Sequence, residues 1–215
     1  MRRRVRIYIE GGAEGRAADN DFRRGWKTFL RDLHALAREH GFQSLEIVRG
    51  KSRTNAFNRF RMHKQEHPED LCVLLVDAER TTPEDARLWD FVSEREGGIW
   101  QRPAWATENH LYLMVVFVET WLVSDPDALR RFFGRYFDQG PLPTTNLEAR
   151  SKGEIERALR KATQNSPKGP YRHGQAHQLI GLVDPATVMN LYHGQRLFQG
   201  LGRMIQGDNQ PGEGT

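Results

Sequence analysis

Four acidic residues each follow a short apolar run of the sequence, and together they could hold a divalent metal ion. Glu10 ends the run "RVRIYI", Asp77 and Glu79 end "LCVLLV", and Glu119 ends "LYLMVVFV". Clustered carboxylates repel each other and raise one another's pKa unless a cation lies between them. Mg²⁺ and Mn²⁺ prefer oxygen ligands and suit the hydrolysis of phosphodiesters. We therefore predict a site in which Glu10, Asp77 and Glu79 hold the ion. Glu10 could also act as the general base, and Glu119 would complete the shell or orient water.

Any one of these acids could instead form a turn or cap a helix, as acidic side chains at strand ends often do. The metal hypothesis depends on their occurring together, each behind an apolar run that stops abruptly. Asp77 and Glu79 are two residues apart, and residues i and i+2 of an extended segment point in the same direction. We therefore expect both carboxylates of this D-x-E pair to face one site.

Basic residues in "RGKSRTNAFNRFRMHK" could hold a polyanionic substrate beside these acids. Arg49 and Lys51 are expected at the same edge of the sheet as the acids, near a helix N-terminus that itself favours phosphate, and Arg53 is a further candidate for phosphate or nucleic-acid binding. Lys152, at the start of a later predicted helix, is a further candidate for phosphate or nucleic-acid binding. The alternative for the Arg-rich helix is an ordinary solvated face.

Apolar runs and helical spacing together predict the elements that must position these side chains. Strands are predicted in "RVRIYIE", "SLEIVRG", "LCVLLVD" and "LYLMVVFVE". Helices are predicted in "DFRRGWKTFLRDLHALAREHG", in "SRTNAFNRFRMHKQEH" and, from a Thr N-cap, in "TPEDARLWDFVSERE". After Asp125-Pro126 the chain is predicted to be largely helical, with later helices in "KGEIERALRKATQ", "GQAHQLIGLV" and "PATVMNLYHGQRLFQGLGRMI".

Strands alternate with helices over the first ~125 residues and helices alone follow, which predicts an α/β fold. We expect a mostly parallel central sheet flanked by helices, with an all-helical C-terminal third. A single domain is predicted over residues 1–205, with the α/β core at 1–135, a helical extension at 136–205 and a disordered tail at 206–215. The carboxyl ends of parallel strands line one edge, where ligands bind, so the four acids should converge there.

The composition is that of a globular protein. Of the 215 residues, 38% are hydrophobic and 28% charged, and the net charge of +4 is compatible with nucleic acid without requiring it. The one cysteine, Cys72, excludes a disulfide within the chain and a Cys-based zinc site. The longest apolar run contains Glu119 and is too short for a membrane helix. We expect a soluble, cytoplasmic protein without a membrane partner, and the sequence is compatible with a homo-oligomer.

Two further motifs do not predict sites of their own. The loop "GGAEG" lacks the ending of a P-loop, and its glycines are predicted to let the backbone approach a ligand near Glu10. "HGQAH" places His173 and His177 at i and i+4, a spacing that can grip zinc. No Glu completes an H-E-x-x-H pattern, so an unliganded pair is predicted.

The segments "IYIEGGAEG", "IVRGKSR", "VLLVDAE" and "MVVFVETWLVSDPDALRRFFG" resemble the domain-of-unknown-function family 4276. That family is regarded as having a TOPRIM-like fold, and TOPRIM nucleases place a Glu after the first strand and a D-x-D after the third to hold Mg²⁺. By this resemblance Glu10 matches the first-strand Glu, and Asp77 and Glu79 match the pair, with D-x-E as a departure. Glu119 and Asp125 fit the family's "ETW…D" segment, which makes Asp125 a supporting residue behind the site.

The resemblance implies a Mg²⁺- or Mn²⁺-dependent nuclease acting on DNA or RNA. It also implies a role as an effector of antiphage defence that works with an ATPase partner protein. Two alternatives remain open from the residues. The first is a regulatory or adaptor subunit that binds an ATPase through the aromatic segment "GGIWQRPAW" and the C-terminal helices. The second is a metal-dependent nucleotide phosphohydrolase, which needs the same acids, metal and cations.

Overall fold

A four-stranded parallel sheet lies at the centre of the computed structural model, which describes residues 3–11 and 16–207. The strands are β1 (Val5–Ile9), β2 (Leu45–Arg49), β3 (Leu71–Asp77) and β4 (Leu111–Met114), in the spatial order β2-β1-β3-β4. All neighbouring pairs are parallel. The predicted α/β fold with a parallel sheet is therefore confirmed.

Helices connect the strands and fill the C-terminal part of the chain. They are α1 (Arg16–Phe29), α2 (Arg31–Glu39), α3 (Arg53–Glu66), α4 (Leu88–Arg95), α5 (Val118–Val123), α6 (Pro126–Phe133), α7 (Lys152–Thr163), α8 (Ala176–Ile180), α9 (Pro185–Val188) and α10 (Tyr192–Gln206). Within the described ranges, none of these helices combines the length and apolar character needed to cross a membrane.

The order of the strands explains why helices lie on both faces of the sheet. The crossover from β1 to β2 runs in one direction, whereas those from β2 to β3 and from β3 to β4 run in the other. Because such crossovers are right-handed, α1 and α2 lie on one face and α3 and α4 on the other. Tyr8 of β1 accordingly contacts Phe60 of α3, and Phe60 stacks near Trp89 of α4.

The C-terminal helices cover the sheet instead of forming a second core. Helix α10 packs on β4 and on α2, and α8 packs on α1 and α5. Phe198 of α10 meets Phe29 of α1 edge-on. The buried apolar side chains form one cluster that runs from Val5 to Ile205.

Three predicted helix boundaries differ from those of the structure. The first long helix is broken at Leu30 into α1 and α2. The third begins only at Leu88, whose backbone N–H is bonded by the carboxylate of Glu108 at 2.8 Å, far along the chain. The last is two helices, α9 and α10.

The fourth strand also ends earlier than predicted, at Met114. The hydroxyl of Thr120 accepts the backbone N–H of Val116 at 3.1 Å, and the chain turns there into α5. Glu119 therefore lies in the first turn of a helix and does not end a strand. The predicted disordered tail lies outside the described residues from 208 onward, and α10 itself extends to Gln206.

Candidate metal centre

Three of the four predicted acids meet at the carboxyl edge of the sheet. Glu10 directly follows β1, Asp77 is the last residue of β3, and these strands are neighbours. One carboxylate oxygen from each of Glu10, Asp77 and Glu79 lies within 4.8 Å of the others. The convergence follows from the parallel register, in which Ile9 pairs with Leu75 and so brings the two strand ends together.

Glu79 reaches the cluster by a different route from the one predicted. Its φ of 65° lies in the left-handed region, which is costly for a residue with a side chain. The turn is fixed by two backbone bonds, from Ala78 N–H to the carbonyl of Met114 at 3.0 Å and from Glu79 N–H to that of Val116 at 2.7 Å. The D-x-E pair is therefore not extended, and the loop after β4 holds the second acid in place.

Glu119 lies beside this cluster but outside it. Its carboxylate is 2% exposed and accepts the hydroxyl of Tyr171 at 2.7 Å. The same oxygen is 2.6 Å from Nδ1 of His173. Glu119 thus contacts two side chains of the C-terminal part, and this arrangement suits Glu119 to position Tyr171 and His173.

The carboxyl groups of the cluster repel one another, and the fold holds them close together despite this repulsion. Burial raises the pKa of Asp77 well above its usual value of 3.8, and the charges of Glu10, Glu119 and Glu79 raise it further. Burial also raises the pKa of Glu10, opposed chiefly by the charge of Arg53. Lys152 opposes the shift at Asp77. The site therefore retains a deficit of positive charge that a divalent cation would relieve.

The predicted phosphate-binding cations instead contact acids in this structure. Arg53 bridges three carboxylates, with 3.1 Å from Nε to Glu10, 3.3 Å from Nη2 to Glu79 and 3.0 Å from Nη1 to Glu96. The ammonium of Lys152 is 2.7 Å from the other oxygen of Glu79. Both cations lie at the acidic cluster and offset part of its negative charge.

Arg49 is the last residue of β2, and Lys51 follows two residues later. Arg49 is 4% exposed and forms an ion pair with Asp19, while its Nε donates to the carbonyl of Gly11 at 3.3 Å. Lys51 is exposed in a left-handed turn with φ of 64°. Asp125 caps α6 through Ala128 N–H at 2.9 Å and accepts Asp184 N–H at 2.9 Å. The structure thus gives Asp125 a role in helix packing.

Arg95 is a residue of the site that sequence reasoning missed. From α4, its Nη1 donates to the carbonyls of Asp77 at 2.6 Å and Ala78 at 2.8 Å, while Nε lies 3.1 Å from Glu96. Burial lowers the pKa of this guanidinium, and the charge of Arg53 lowers it further. Arg95 fixes the backbone that carries the D-x-E pair. No local pattern in "SERE" signals this contact.

A pocket of about 260 Å³ opens beside the acids. Glu10, Asp77 and Glu119 form its acidic side, Lys152 adds a cation, and the rest is lined mainly by Trp26, Met114, Phe117, Val118, His173 and His177. Phe117 lies under the ammonium of Lys152, 5.1 Å from the ring centre. The pocket is large enough for a small phosphorylated group next to the carboxylates.

The two histidines of "HGQAH" line this pocket, which the sequence analysis did not predict. His173 bonds Glu119, and that bond is the main cause that raises its pKa. His177 packs edge-on against Phe22 at 4.7 Å, and burial, helped by Arg49, lowers its pKa to about 4. Nδ1 of His177 and Nε1 of Trp26 have no hydrogen-bond partner within the described part of the chain. The i, i+4 spacing was the available signal, and it was interpreted as an unliganded pair.

The donor set fits a hard divalent ion. Glu10, Asp77 and Glu79 offer oxygen ligands only, at mutual distances that one ion can span, and burial raises the pKa of Glu10 and of Asp77. Arg53 and Lys152 supply part of that charge, so an ion must share the carboxylates with them or displace them.

One family model matches residues 9–201 of the chain, and its description reads "Domain of unknown function (DUF4276)". No curated protein and no solved structure shows significant similarity to the chain. The matched range contains every acid of the site.

Proposed function

Because the chain belongs to the DUF4276 family, whose description assigns no function, we propose one from its own geometry: a metal-dependent hydrolase of phosphodiesters in nucleic acid. The observation that carries the proposal is the cluster of Glu10, Asp77 and Glu79 at the sheet edge, beside a pocket that Glu10 and Asp77 line. The resemblance to the family seen in the sequence is confirmed. The TOPRIM-like relationship rests on no match and stays a prediction.

Glu10, Asp77 and Glu79 are the residues that would hold Mg²⁺ or Mn²⁺. When bound, such an ion lowers the pKa of water and neutralises charge on phosphoryl oxygens. Val118 N–H donates to one oxygen of Asp77 at 3.0 Å, and Asp77 N–H donates to Glu10 at 3.2 Å. These backbone bonds orient the two half-buried carboxylates before any ligand arrives.

Cations of the chain would bind the substrate. Lys152 lines the pocket and Arg53 borders the acids, so both can exchange a carboxylate of Glu79 for a phosphate oxygen. Such an exchange would place the positive charges of Lys152 and Arg53 beside the phosphoryl oxygens, where negative charge develops during hydrolysis.

His173 would carry a proton at the opposite side of the pocket. Glu119 contacts Nδ1 at 2.6 Å, and Glu156 lies 3.2 Å from Nε2, so the imidazole is held between two carboxylates. A histidine oriented in this way by a carboxylate is a standard partner in proton transfer. In this proposal Glu119 acts through His173 and not as a metal ligand.

A nucleotide phosphohydrolase is the second candidate, and the pocket favours it. A volume of about 260 Å³ with an aromatic wall suits a mononucleotide-sized group better than a duplex. In the segment assigned to partner contact in the adaptor hypothesis, Trp100 is 1% exposed and stacks on Phe57 at 4.5 Å. Ile99 beside it is 79% exposed, and most other residues of the segment are exposed as well, so the adaptor hypothesis stays a prediction. An ATPase partner and a defence role rest on the resemblance and remain predictions.

A cleavage assay tests the proposal and separates the substrates. The wild-type chain is incubated with Mn²⁺ or Mg²⁺ and with plasmid DNA, single-stranded DNA, tRNA or a nucleoside triphosphate. Asp77→Asn is the test variant, and Asp32→Asn, an exposed acid on α2, is the matched control. We expect metal-dependent cleavage of a polymer by the wild type. The cleavage rate should fall by at least about 100-fold in Asp77→Asn and should be unchanged in Asp32→Asn. Phosphate release from the nucleotide alone would favour the second candidate, and equal cleavage by Asp77→Asn would refute both.

A further inference from the structure

A second group of metal-ligating side chains lies at the other end of α3 from Arg53. His63, Glu66 and His67 occur in "HKQEH", at spacings of three and four residues that place them on one side of the helix end. One ligand atom from each lies within 4.8 Å of the others. The two imidazole rings stack with centres 4.5 Å apart. Because α3 has 14 residues, this cluster and the acidic one are about 20 Å apart at 1.5 Å per residue.

A buried carboxylate orients the first of these histidines. Oδ2 of Asp70 lies 3.0 Å from Nε2 of His63. Asp70 is 4% exposed and is itself held by the backbone N–H of Arg4 at 2.7 Å and by Nε of Arg6 at 3.1 Å. A carboxylate that bonds one ring nitrogen fixes the ring and increases the basicity of the other, as is usual behind histidine metal ligands.

The surroundings leave room for an ion beside two cations of the same pocket, Arg6 and Arg59, of which Arg6 pairs with Glu46 and Asp70. His63 and Glu66 line a pocket of about 220 Å³, while the side chain of His67 is 41% exposed. The cluster lies at the C-terminal end of α3, where the helix dipole attracts cations. The nearby ammonium of Lys64 donates to the carbonyl of Pro68 at 2.5 Å, so this positive charge is held against the loop that follows α3.

We propose that His63, Glu66 and His67 bind a divalent transition-metal ion of the Zn²⁺ class. Two imidazole nitrogens and one carboxylate form a set that zinc accepts with further positions left for water. Imidazole selects such ions over Mg²⁺, which prefers oxygen ligands alone. The site is independent of the proposed hydrolase site, because it shares none of its residues.

Calorimetric titration with Zn²⁺ in millimolar Mg²⁺ tests this assignment on the full chain. The test variants are His67→Ala and Glu66→Gln, and the matched control is His40→Ala, an exposed histidine at the end of α2. We expect the wild-type chain and His40→Ala to bind Zn²⁺ alike. His67→Ala should bind at least about tenfold more weakly, since losing even an outer partner of a metal site costs roughly 10- to 100-fold.

Thermal unfolding without metal checks that His67→Ala and Glu66→Gln remain folded. Asp77→Asn serves as a second control, since it removes an acid of the other cluster and should keep this Zn²⁺ binding. Unchanged Zn²⁺ affinity in both His67→Ala and Glu66→Gln would overturn the assignment. So would a loss of the Zn²⁺ site in Asp77→Asn alone.

Discussion

Arg53 is the residue in which two roles compete. Its guanidinium contacts Glu10 and Glu79, two of the three acids that would hold an ion. Burial lowers the pKa of Arg53, but the charges of Glu10 and Glu96 outweigh burial and raise it, so the side chain stays charged at the site. A fixed positive charge beside a metal site weakens metal binding and can strengthen phosphate binding.

Replacing Arg53 should therefore separate these roles. We expect Arg53→Ala to bind Mn²⁺ about fivefold more tightly, which corresponds to removal of about 1 kcal/mol of repulsion near the surface. Cleavage at saturating metal should fall, because the phosphate loses a partner. Calorimetry and cleavage rates measure the two effects, with Arg61→Ala on the exposed side of α3 as the control. Weaker Mn²⁺ binding in Arg53→Ala would mean that the guanidinium organises the carboxylates.

At the level of elements, the pocket depends on a close contact between α1 and α8. A Cβ on Gly25 of α1 would lie 1.9 Å from the carbonyl oxygen of His177, and a Cβ on Gly181 would lie 2.9 Å from Cα of Gly25. The imidazole of His177 lies beside Gly11, whose φ is 105°. The absence of a side chain at Gly25 thus sets how near α8 brings His177 to the loop after β1.

Gly25→Ala should disrupt this contact. We expect the free energy of unfolding to fall by about 1–3 kcal/mol, the usual cost of overpacking. Gly153→Ala is the matched control, because Gly153 also lies in a helix and its added Cβ would meet nothing within 4 Å. Alanine favours a helix, so the control should be neutral or more stable. Chemical denaturation of both variants measures the difference, and equal stabilities would show that α8 moves away without cost.

The sequence predicts some elements well and others poorly, for physical reasons. Strand β3 is a continuous apolar run buried on both faces, so its end at Asp77 is visible in the sequence. The convergence of Glu10 and Asp77 then follows from parallel pairing. The turn into α5 that carries Glu119 depends on the bond between Val116 and Thr120 and on the β3 loop, which no periodicity reveals.

Residues that join the site from distant parts of the chain were the hardest to predict. His173 and Tyr171 reach Glu119 from more than 50 positions away, and their placement depends on how α7 and α8 pack on α5. The sequence predicts that Arg53 and Lys152 bind phosphate, and in the structure both contact carboxylates. Their pairing with Glu79 follows from the local turn at that residue, which a sequence does not specify.

For the whole molecule, the acidic cluster lowers the free energy of unfolding at neutral pH. Folding raises the pKa of Asp77, so above pH 3.8 the folded chain retains a proton that the unfolded chain has lost. The contribution of Asp77 to stability is therefore full below that pH and is lost as the pH rises towards its folded pKa. At neutral pH, and without a bound cation, the negative charges of the cluster therefore destabilise the folded chain.

Asp77→Asn should therefore stabilise the metal-free chain at neutral pH. Asparagine keeps the oxygen that accepts Val118 N–H and removes the buried charge. The thermal unfolding midpoint of the variant, measured in chelator from pH 4 to pH 8, should exceed that of the wild type by an amount that grows with pH. A difference that is constant across this range would mean that the charge of Asp77 is not the cause.

The most direct test of the central claim is a calorimetric titration of Mn²⁺ into the purified chain, into Asp77→Asn and into Asp32→Asn. If Glu10, Asp77 and Glu79 form a metal centre, the wild type and Asp32→Asn will bind Mn²⁺ alike. Asp77→Asn will then bind at least about tenfold more weakly, because it has lost a charged ligand. Equal binding by Asp77→Asn, or no binding by the wild type, would contradict the account and leave these acids as structural residues.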